Sequence, residues 1–207
     1  MKILVIGATG PTGLELVSQG AALGHEVTAT ARRPESASLP ADVKVVRADV
    51  MDPASLAAAM AGQDAVISSL GTKIERKPTF LLSEGTRYLV AAMKQTGVKR
   101  LVCITGIGAG ESRGHGGFLY DRIFQPLLLN EVYKDKDRQE EVVRDSSLDW
   151  TLIRPGMLTN GARGGKFREL KDLSGVTVGK ISRSDVAAYI LAHIDDPASY
   201  RQTIMLG

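Results

Sequence analysis

The chain predicts an α/β fold: a single Rossmann-like, doubly wound, mostly parallel sheet with helices on both faces. Three observations carry this expectation. Short runs of aliphatic and β-branched residues alternate with longer segments of helical spacing, the pattern of strand–helix–strand units. Several of the short runs are apolar at consecutive positions, which suits strands covered by helices on both sides rather than strands with one wet face. The first run leads directly into a glycine-rich turn that opens a helical segment. With 207 residues, 43% of them hydrophobic and 24% charged, the chain has globular composition and length for one domain over 1–207. A domain of this size buries roughly 70% of its unfolded surface, so it needs neither disulfides nor a structural metal.

Each element follows from local chemistry. Strand 2–6 holds four successive aliphatic residues, and helix 11–23 starts at Pro11, whose missing N–H would have no intrahelical partner in a first turn. Strands 26–31 and 43–47 follow, then helix 53–61, again proline-started. Strand 65–69 precedes helix 80–96, and Gly24, Gly62 and Gly97 mark the three helix ends. After strand 100–105, helical spacing runs over 118–144. Pro126 interrupts it by removing a donor and crowding the preceding turn, so two helices or a strong kink are expected there. Strand 150–154, helix 185–194 and strand 203–206 complete the set. Loops 72–79, 106–117 and 157–166, rich in glycine or charge, should open on one edge of the sheet as the substrate loops.

Several function classes are set aside by composition. The 26 basic and 23 acidic residues leave a net charge of only +3, and bases mix with acids, as over 131–140, so no nucleic acid partner is indicated. No apolar run approaches the roughly 20 residues that span a bilayer. The opening segment meets glycines after four apolar residues and lacks its own small-residue cleavage site, so it reads as a strand in a cytoplasmic protein without a membrane partner. One cysteine, Cys103, excludes an internal disulfide. With His25, His115 and His193 scattered, no metal site is expected.

The motif Gly7-Ala8-Thr9-Gly10-Pro11-Thr12-Gly13 carries the functional reading. Between a strand and a helix, its glycines permit a tight turn, a close approach of backbone to pyrophosphate, and close helix packing. The phosphates would sit over the helix N-terminus, where N–H groups and the dipole favour negative charge. At the end of the second strand, an NAD site usually carries an acid for the ribose 2′-hydroxyl. This chain has Arg32 and Arg33, whose guanidinium forks match a 2′-phosphate, so NADPH (NADP) is expected and NADH is less favoured. Asp49 with Val50, after the third strand, is placed to receive the adenine amino group, or else Asp49 is a helix cap.

Together with Gly62-Gln-Asp-Ala-Val-Ile67, Leu70-Gly-Thr72, Ser83-Glu-Gly85, Leu148-Asp-Trp-Thr-Leu-Ile-Arg-Pro-Gly156 and Ile181-Ser-Arg-Ser-Asp-Val186, the motif resembles the atypical short-chain dehydrogenase/reductase superfamily. Within it, the chain is similar to the branch of biliverdin-IXβ reductase/flavin reductase and NmrA-like NAD(P)-binding proteins. The resemblance covers nearly the whole chain. It implies that Ser69, Leu70, Gly71 and Thr72 line the adenosine and ribose side, and that Thr105, Pro155, Gly156 and Met157 lie against the nicotinamide. Thr105 and Lys136 are the candidate catalytic residues, holding the nicotinamide end.

The departures bear on chemistry. Short-chain dehydrogenases typically use Tyr-x-x-x-Lys, the lysine helping the phenol to act as an acid. Here Lys136 is preceded at that spacing by Val132, while Tyr133 and Tyr120 are followed by Asp137 and Phe124. Gly106 and Gly156 stand where the reductase branch has a serine and a histidine, and would widen the floor over the nicotinamide. Without a fixed proton donor, the expected substrate is a small planar acceptor (flavin, quinone or similar aromatic), which stabilises the incoming charge and takes its proton from water. Two alternatives stand beside this oxidoreductase: an NmrA-like redox sensor that binds dinucleotide without turnover, and a tailoring oxidoreductase of aromatic secondary metabolism. His115, in a loop facing the expected site, is a further candidate donor, and Lys73, Arg76 and Lys77 offer attraction for an anionic substrate or simply a solvated loop. Cys103 and Trp150 read as core.

Overall fold

The computed structural model describes residues 1–72, 77–117, 122, 129–164, 167–170 and 176–207. In chain order these form β1 (Lys2–Ile6), α1 (Pro11–Ala22), β2 (Glu26–Ala31), β3 (Lys44–Arg47), α2 (Pro53–Met60), β4 (Ala65–Ser68) and α3 (Leu81–Thr96). Then follow β5 (Arg100–Ile104), α4 (Asn130–Arg144), β6 (Asp149–Pro155), β7 (Met157–Thr159), β8 (Glu169–Leu170), β9 (Lys180–Ser182), α5 (Arg183–Ala192) and β10 (Gln202–Leu206).

Eight strands make one sheet in the order β3-β2-β1-β4-β5-β6-β10-β8, all parallel except the β10–β8 pair. Ile3 pairs with Val27 on one side and Ala65 on the other, so β1 lies inside the sheet. Alternate side chains feed two cores. Ile3 and Val5 pack with Leu16 and Val17 of α1 and Val186 and Ile190 of α5, whereas Leu4 and Ile6 pack with Leu56 of α2, Leu89 and Met93 of α3 and Val143 of α4. This explains why several of the strands are apolar at consecutive positions: each residue faces a helix layer, on one side or the other. Cys103 and Trp150 belong to the second core, as expected. Burial pushes the Cys103 thiol up to about 12, which leaves it protonated and inert at neutral pH.

Three strands escape sequence patterning. β7, β8 and β9 hold three, two and three residues, too few for a periodicity to register, and they exist because partners are available: β7 pairs with β9, and β8 with the edge of β10. Segment 157–166, expected to be loop throughout, therefore begins as a strand. Of the helical stretch expected over 118–144, α4 occupies the part from Asn130 onward, and the expected break at Pro126 lies outside the described residues.

Two buried charges tie elements together. Asp135 of α4, fully buried, accepts hydrogen bonds from the Leu82 and Ser83 amides (2.9 and 3.3 Å) and from the Ser83 hydroxyl (2.5 Å). It thereby caps α3, whose own N-cap residue, Phe80, makes no side-chain cap. Arg100 donates to the carbonyls of His193 (3.3 Å) and Ile194 (2.7 Å) after α5, to the Asp149 carbonyl and to the Thr151 and Ser199 hydroxyls. It fastens the end of α5 beneath the sheet.

From β1 the chain winds outward through β2 to β3, then returns to β4 and winds the other way through β5 to β6. The order reverses between β1 and β4. At such a reversal the connections leave in opposite directions and open a crevice beyond the carboxyl ends of the strands.

Candidate functional site

A cleft of about 780 Å³ occupies that crevice. Its centre is the turn after β1. Gly7 has φ +75°, and a Cβ there would stand 2.5 Å from the Ser69 carbonyl oxygen. A Cβ on Gly13 would stand 2.2 Å from the Gly7 carbonyl oxygen, so only glycine lets α1 start this close to the strand. Gly10 is the N-cap of α1 and offers no side chain to cap it, and Pro11 is the first helical residue. Thr9, Gly10, Pro11 and Thr12 line the cleft, which leaves the uncapped amides of the first turn as donors toward an anion. An uncapped helix start, held tight against the strand by glycines that admit no Cβ, fits a diphosphate.

On the adenosine side, Arg32 lines the cleft after β2, and Asp49 and Val50 line it after β3. Arg33 does not; its carbonyl accepts from the Ser36 amide and hydroxyl in the turn that follows. Both guanidinium groups are exposed, and neither makes an ion pair among the described residues. Asp49 accepts from the Met51 amide (3.0 Å), while the cap of α2 is Asp52, which accepts from Ala54 and Ser55. Asp49 is thus held in a local turn and is not the helix cap. Ser69, Leu70, Gly71 and Thr72 continue the wall after β4.

At the other end, Thr105 follows β5 and Lys136 reaches in from α4. Lys136 Nζ donates to the Thr105 carbonyl (2.7 Å), and the Thr105 hydroxyl donates to Glu140 Oε1 (2.7 Å). Glu140 in turn receives two hydrogen bonds from Arg154, Nε to Oε1 (2.9 Å) and Nη2 to Oε2 (2.5 Å). Arg154 also meets Glu111 in the loop after β5 at 2.9 Å. Burial opposes the Arg154 charge, but Glu140 and Glu111 outweigh it and raise its pKa. Burial likewise lowers the Lys136 pKa, against the pull of Glu140 and Asp135. Because the Thr105 proton is committed to Glu140, that hydroxyl can serve the cleft only as an acceptor. Lys136 uses one of its three N–H donors on Thr105 and is the ammonium of this wall.

The other expected residues are placed differently. Pro155, Gly156 and Met157 are not among the cleft's lining; Leu158, one residue further, is. Neither glycine expected to widen the floor does so. A Cβ on Gly156 would stand 2.2 Å from the Gly179 carbonyl oxygen, which makes it a packing joint between β6 and β9, and the space beside Gly106 holds the Tyr133 hydroxyl, 3.4 Å from where a Cβ would be. His115 also lies off the lining. Its Nδ1 stands 2.9 Å from the Val176 carbonyl and must donate to it, which staples the 106–117 loop to segment 176–178. Lys73 and Arg76 lie outside the described residues, and Lys77 is exposed. Among the described residues no tyrosine or histidine lines the cleft, and none group into a metal-binding cluster. No helix among them is long and apolar enough to cross a membrane. Sequence reasoning missed Leu81, Leu158 and Arg183 on the wall. Arg183 stood inside a segment that carried the family resemblance, but no spacing rule assigned it a task.

A reversed parallel sheet with an anion cradle at its switch point is the architecture of Rossmann-like dinucleotide-binding proteins, and this chain is one of them, of the atypical short-chain dehydrogenase/reductase type. Residues 7–197 match the NAD(P)H-binding family, and the chain belongs to it. It is 32% identical over 203 residues to YhfK of Bacillus subtilis, described as an uncharacterized sugar epimerase, with 95% of this chain and 89% of YhfK covered. The crystal structure of the oxidoreductase YlbE from Lactococcus lactis is similar with a TM-score of 0.85 at 25% identity, covering 100% of this chain and 90% of that one. A short-chain dehydrogenase/reductase from Veillonella parvula, solved in complex with NADP, shares the fold at a TM-score of 0.82 and 17% identity, over 100% and 94% of the two chains.

Proposed function

We propose that this protein uses NADPH to reduce a flavin, quinone or similar planar conjugated acceptor. The observation that carries the reading is the make-up of the β5 end of the cleft: an ammonium held on the Thr105 carbonyl, apolar walls from Leu81, Ile104 and Leu158, and no tyrosine or histidine among the described lining. Without a tyrosine or histidine donor, the Lys136 ammonium can meet the charge that arrives on the acceptor, and a conjugated acceptor also spreads that charge over its ring and takes its proton from this lysine or from water. Bound NADPH supplies the hydride.

The residues then have separate tasks. The glycine turn and the first amides of α1 hold the diphosphate. Arg32 meets the 2′-phosphate from the front, with Arg33 adding charge from outside the cleft. Asp49, Val50 and residues 69–72 hold the adenosine and ribose. Thr105 and Lys136 hold the nicotinamide end, and Lys136 adds positive potential where negative charge develops. Pro155, Gly156 and Met157 support that end through the backbone: the Gly156 amide donates to the Leu206 carbonyl and the Met157 amide to the Gly179 carbonyl. Rate enhancement comes mainly from holding two rings at close range.

Mixing the protein with NADPH and either FMN or menadione, and following loss of the reduced nicotinamide absorbance, tests the activity. Turnover of either acceptor is expected. Fluorescence-detected NADPH binding without any turnover would refute it and favour a redox sensor. Replacing Arg32→Ala together with Arg33→Ala should weaken NADPH far more than NADH, and equal losses would refute the 2′-phosphate assignment.

A further inference from the structure

We propose that Thr105 and Lys136 together read the primary carboxamide of the coenzyme's nicotinamide ring, and that Glu140 is the positioning residue that gives this reading its polarity. This rests on the coenzyme reading above and deepens it, by assigning which polar group of the nicotinamide meets which atom of the protein.

Three elements meet at this wall. Thr105 directly follows β5, and its amide donates to the Ile153 carbonyl (2.8 Å), which sets it beside Arg154 of β6. Lys136 and Glu140 stand one turn apart on α4. Glu140, 3% exposed, accepts from Arg154 through both of its oxygens. A group that holds a buried guanidinium in this way is a carboxylate, and a carboxylate has only lone pairs to offer. The 2.7 Å bond between the Thr105 hydroxyl and Glu140 Oε1 therefore has one direction: threonine donates. A free threonine hydroxyl can turn its proton toward a ligand or away from it. Here, turning the proton into the cleft would break a charge-assisted bond, so Thr105 Oγ faces the cleft as an acceptor.

Lys136 has the opposite polarity. Its ammonium has no lone pair, spends one N–H on the Thr105 carbonyl, and keeps two more. The wall after β5 thus offers an acceptor and a donor anchored on the same residue. A phosphate or carboxylate would set lone pairs against Thr105 Oγ and is disfavoured there. The complementary group carries an N–H beside a C=O, and a primary carboxamide is such a group. The sheet puts it within reach: Arg32 follows β2 and Thr105 follows β5, on opposite sides of the reversal between β1 and β4, so the two bases of the coenzyme take opposite halves. With the carboxamide N–H on Thr105 Oγ and its oxygen on Lys136, one ammonium N–H remains for the acceptor. Half a turn of the ring about its glycosidic bond would carry the carboxamide away from both groups, so the same contact fixes which ring face meets the acceptor.

The test is calorimetric titration of NADP⁺ and of its acetylpyridine analogue, in which a methyl group replaces the carboxamide NH₂, into wild type, Thr105→Val and the double variant Glu140→Leu with Arg154→Met. Wild type should bind the analogue about 10-fold more weakly, because the methyl leaves Thr105 Oγ without its donor. Thr105→Val should lose about 10-fold in NADP⁺ affinity and keep the analogue within about twofold, so that the preference disappears. The retained analogue affinity also reports an intact fold. The double variant keeps the hydroxyl but frees it to rotate, and its preference should fall between the two; a merely structural Glu140 would leave the preference at its wild-type value. Equal affinity of wild type for both ligands overturns the proposal, as does a Thr105→Val variant that loses both equally. An unaltered preference in the double variant overturns the role of Glu140. If the preferences follow the expected pattern but neither FMN nor menadione is reduced, the carboxamide contact stands and the hydride-transfer reading falls.

Discussion

Replacing Glu140→Ala removes the acceptor for Arg154 Nε and Nη2 and for the Thr105 hydroxyl in a single step. Arg154 is 0% exposed and would keep only Glu111, whose side chain is 65% exposed. Breaking a buried ion pair from one side leaves an uncompensated charge and costs about 3–5 kcal/mol. In a domain of this size, that is a fall in Tm of roughly 6–20 °C. The informative control is Glu140→Leu combined with Arg154→Met, which removes both charges and keeps volume; it should recover most of the loss, to within about 1–2 kcal/mol of wild type. Urea unfolding, with the slope checked for a common two-state transition, measures both. A single-variant cost below about 1 kcal/mol would place the pair in the range of surface ion pairs and refute the claim that it is dry. Glu111 adds a pH dependence. The Arg154 hydrogen bond holds its carboxyl below the usual glutamate value, so the unfolded chain binds that proton more readily than the folded one. The contribution is present above the unfolded pKa and is lost as pH falls through the folded one. Glu111→Gln should flatten this acid limb, modestly, because the group is largely in water.

Lys136→Met should cut quinone turnover about tenfold without lowering the urea midpoint. Burial depresses the lysine's folded pKa, so wild-type stability rises as pH climbs from that value toward the unfolded one, and the methionine variant should lose this rise. Gly13→Ala forces a Cβ against the Gly7 carbonyl oxygen, so NADPH fluorescence titration should show affinity lost together with about 1–3 kcal/mol of stability. Asp135→Ala uncaps α3 and should cost about 2 kcal/mol by chemical denaturation, with Asp135→Asn losing less; an unchanged midpoint would show that water replaces the cap.

Local chemistry made much of this protein legible before folding. The turn from Gly7 to Gly13 is readable because every donor and every missing Cβ it uses lies within seven consecutive residues. The principal strands are readable because two helix layers demand apolar side chains on both faces, and the helix starts at Pro11 and Pro53 because proline has no N–H to lose there. The position of Arg32 followed from counting to the end of the next strand. Thr105 and Lys136 were reached through family resemblance, but their link was not legible: a lysine ammonium on a threonine carbonyl 31 residues away leaves no mark in spacing.

Tertiary contact decided the remainder. β7, β8 and β9 are too short to be stable by propensity, and form only because another strand supplies their hydrogen bonds. Gly156, which in sequence suggested an opening, is closed by the Gly179 carbonyl from a segment 23 residues on. Arg154 and Arg183 are alike on paper, yet one is locked between two glutamates in the interior and the other lines the cleft with no carboxylate on it among the described residues. The chain alone determined a backbone able to receive phosphate, since that ability is covalent and local. Which charges are neutralised and which stay available to a ligand was settled only when distant segments met, because the free energy of a charge depends on the groups and water that surround it.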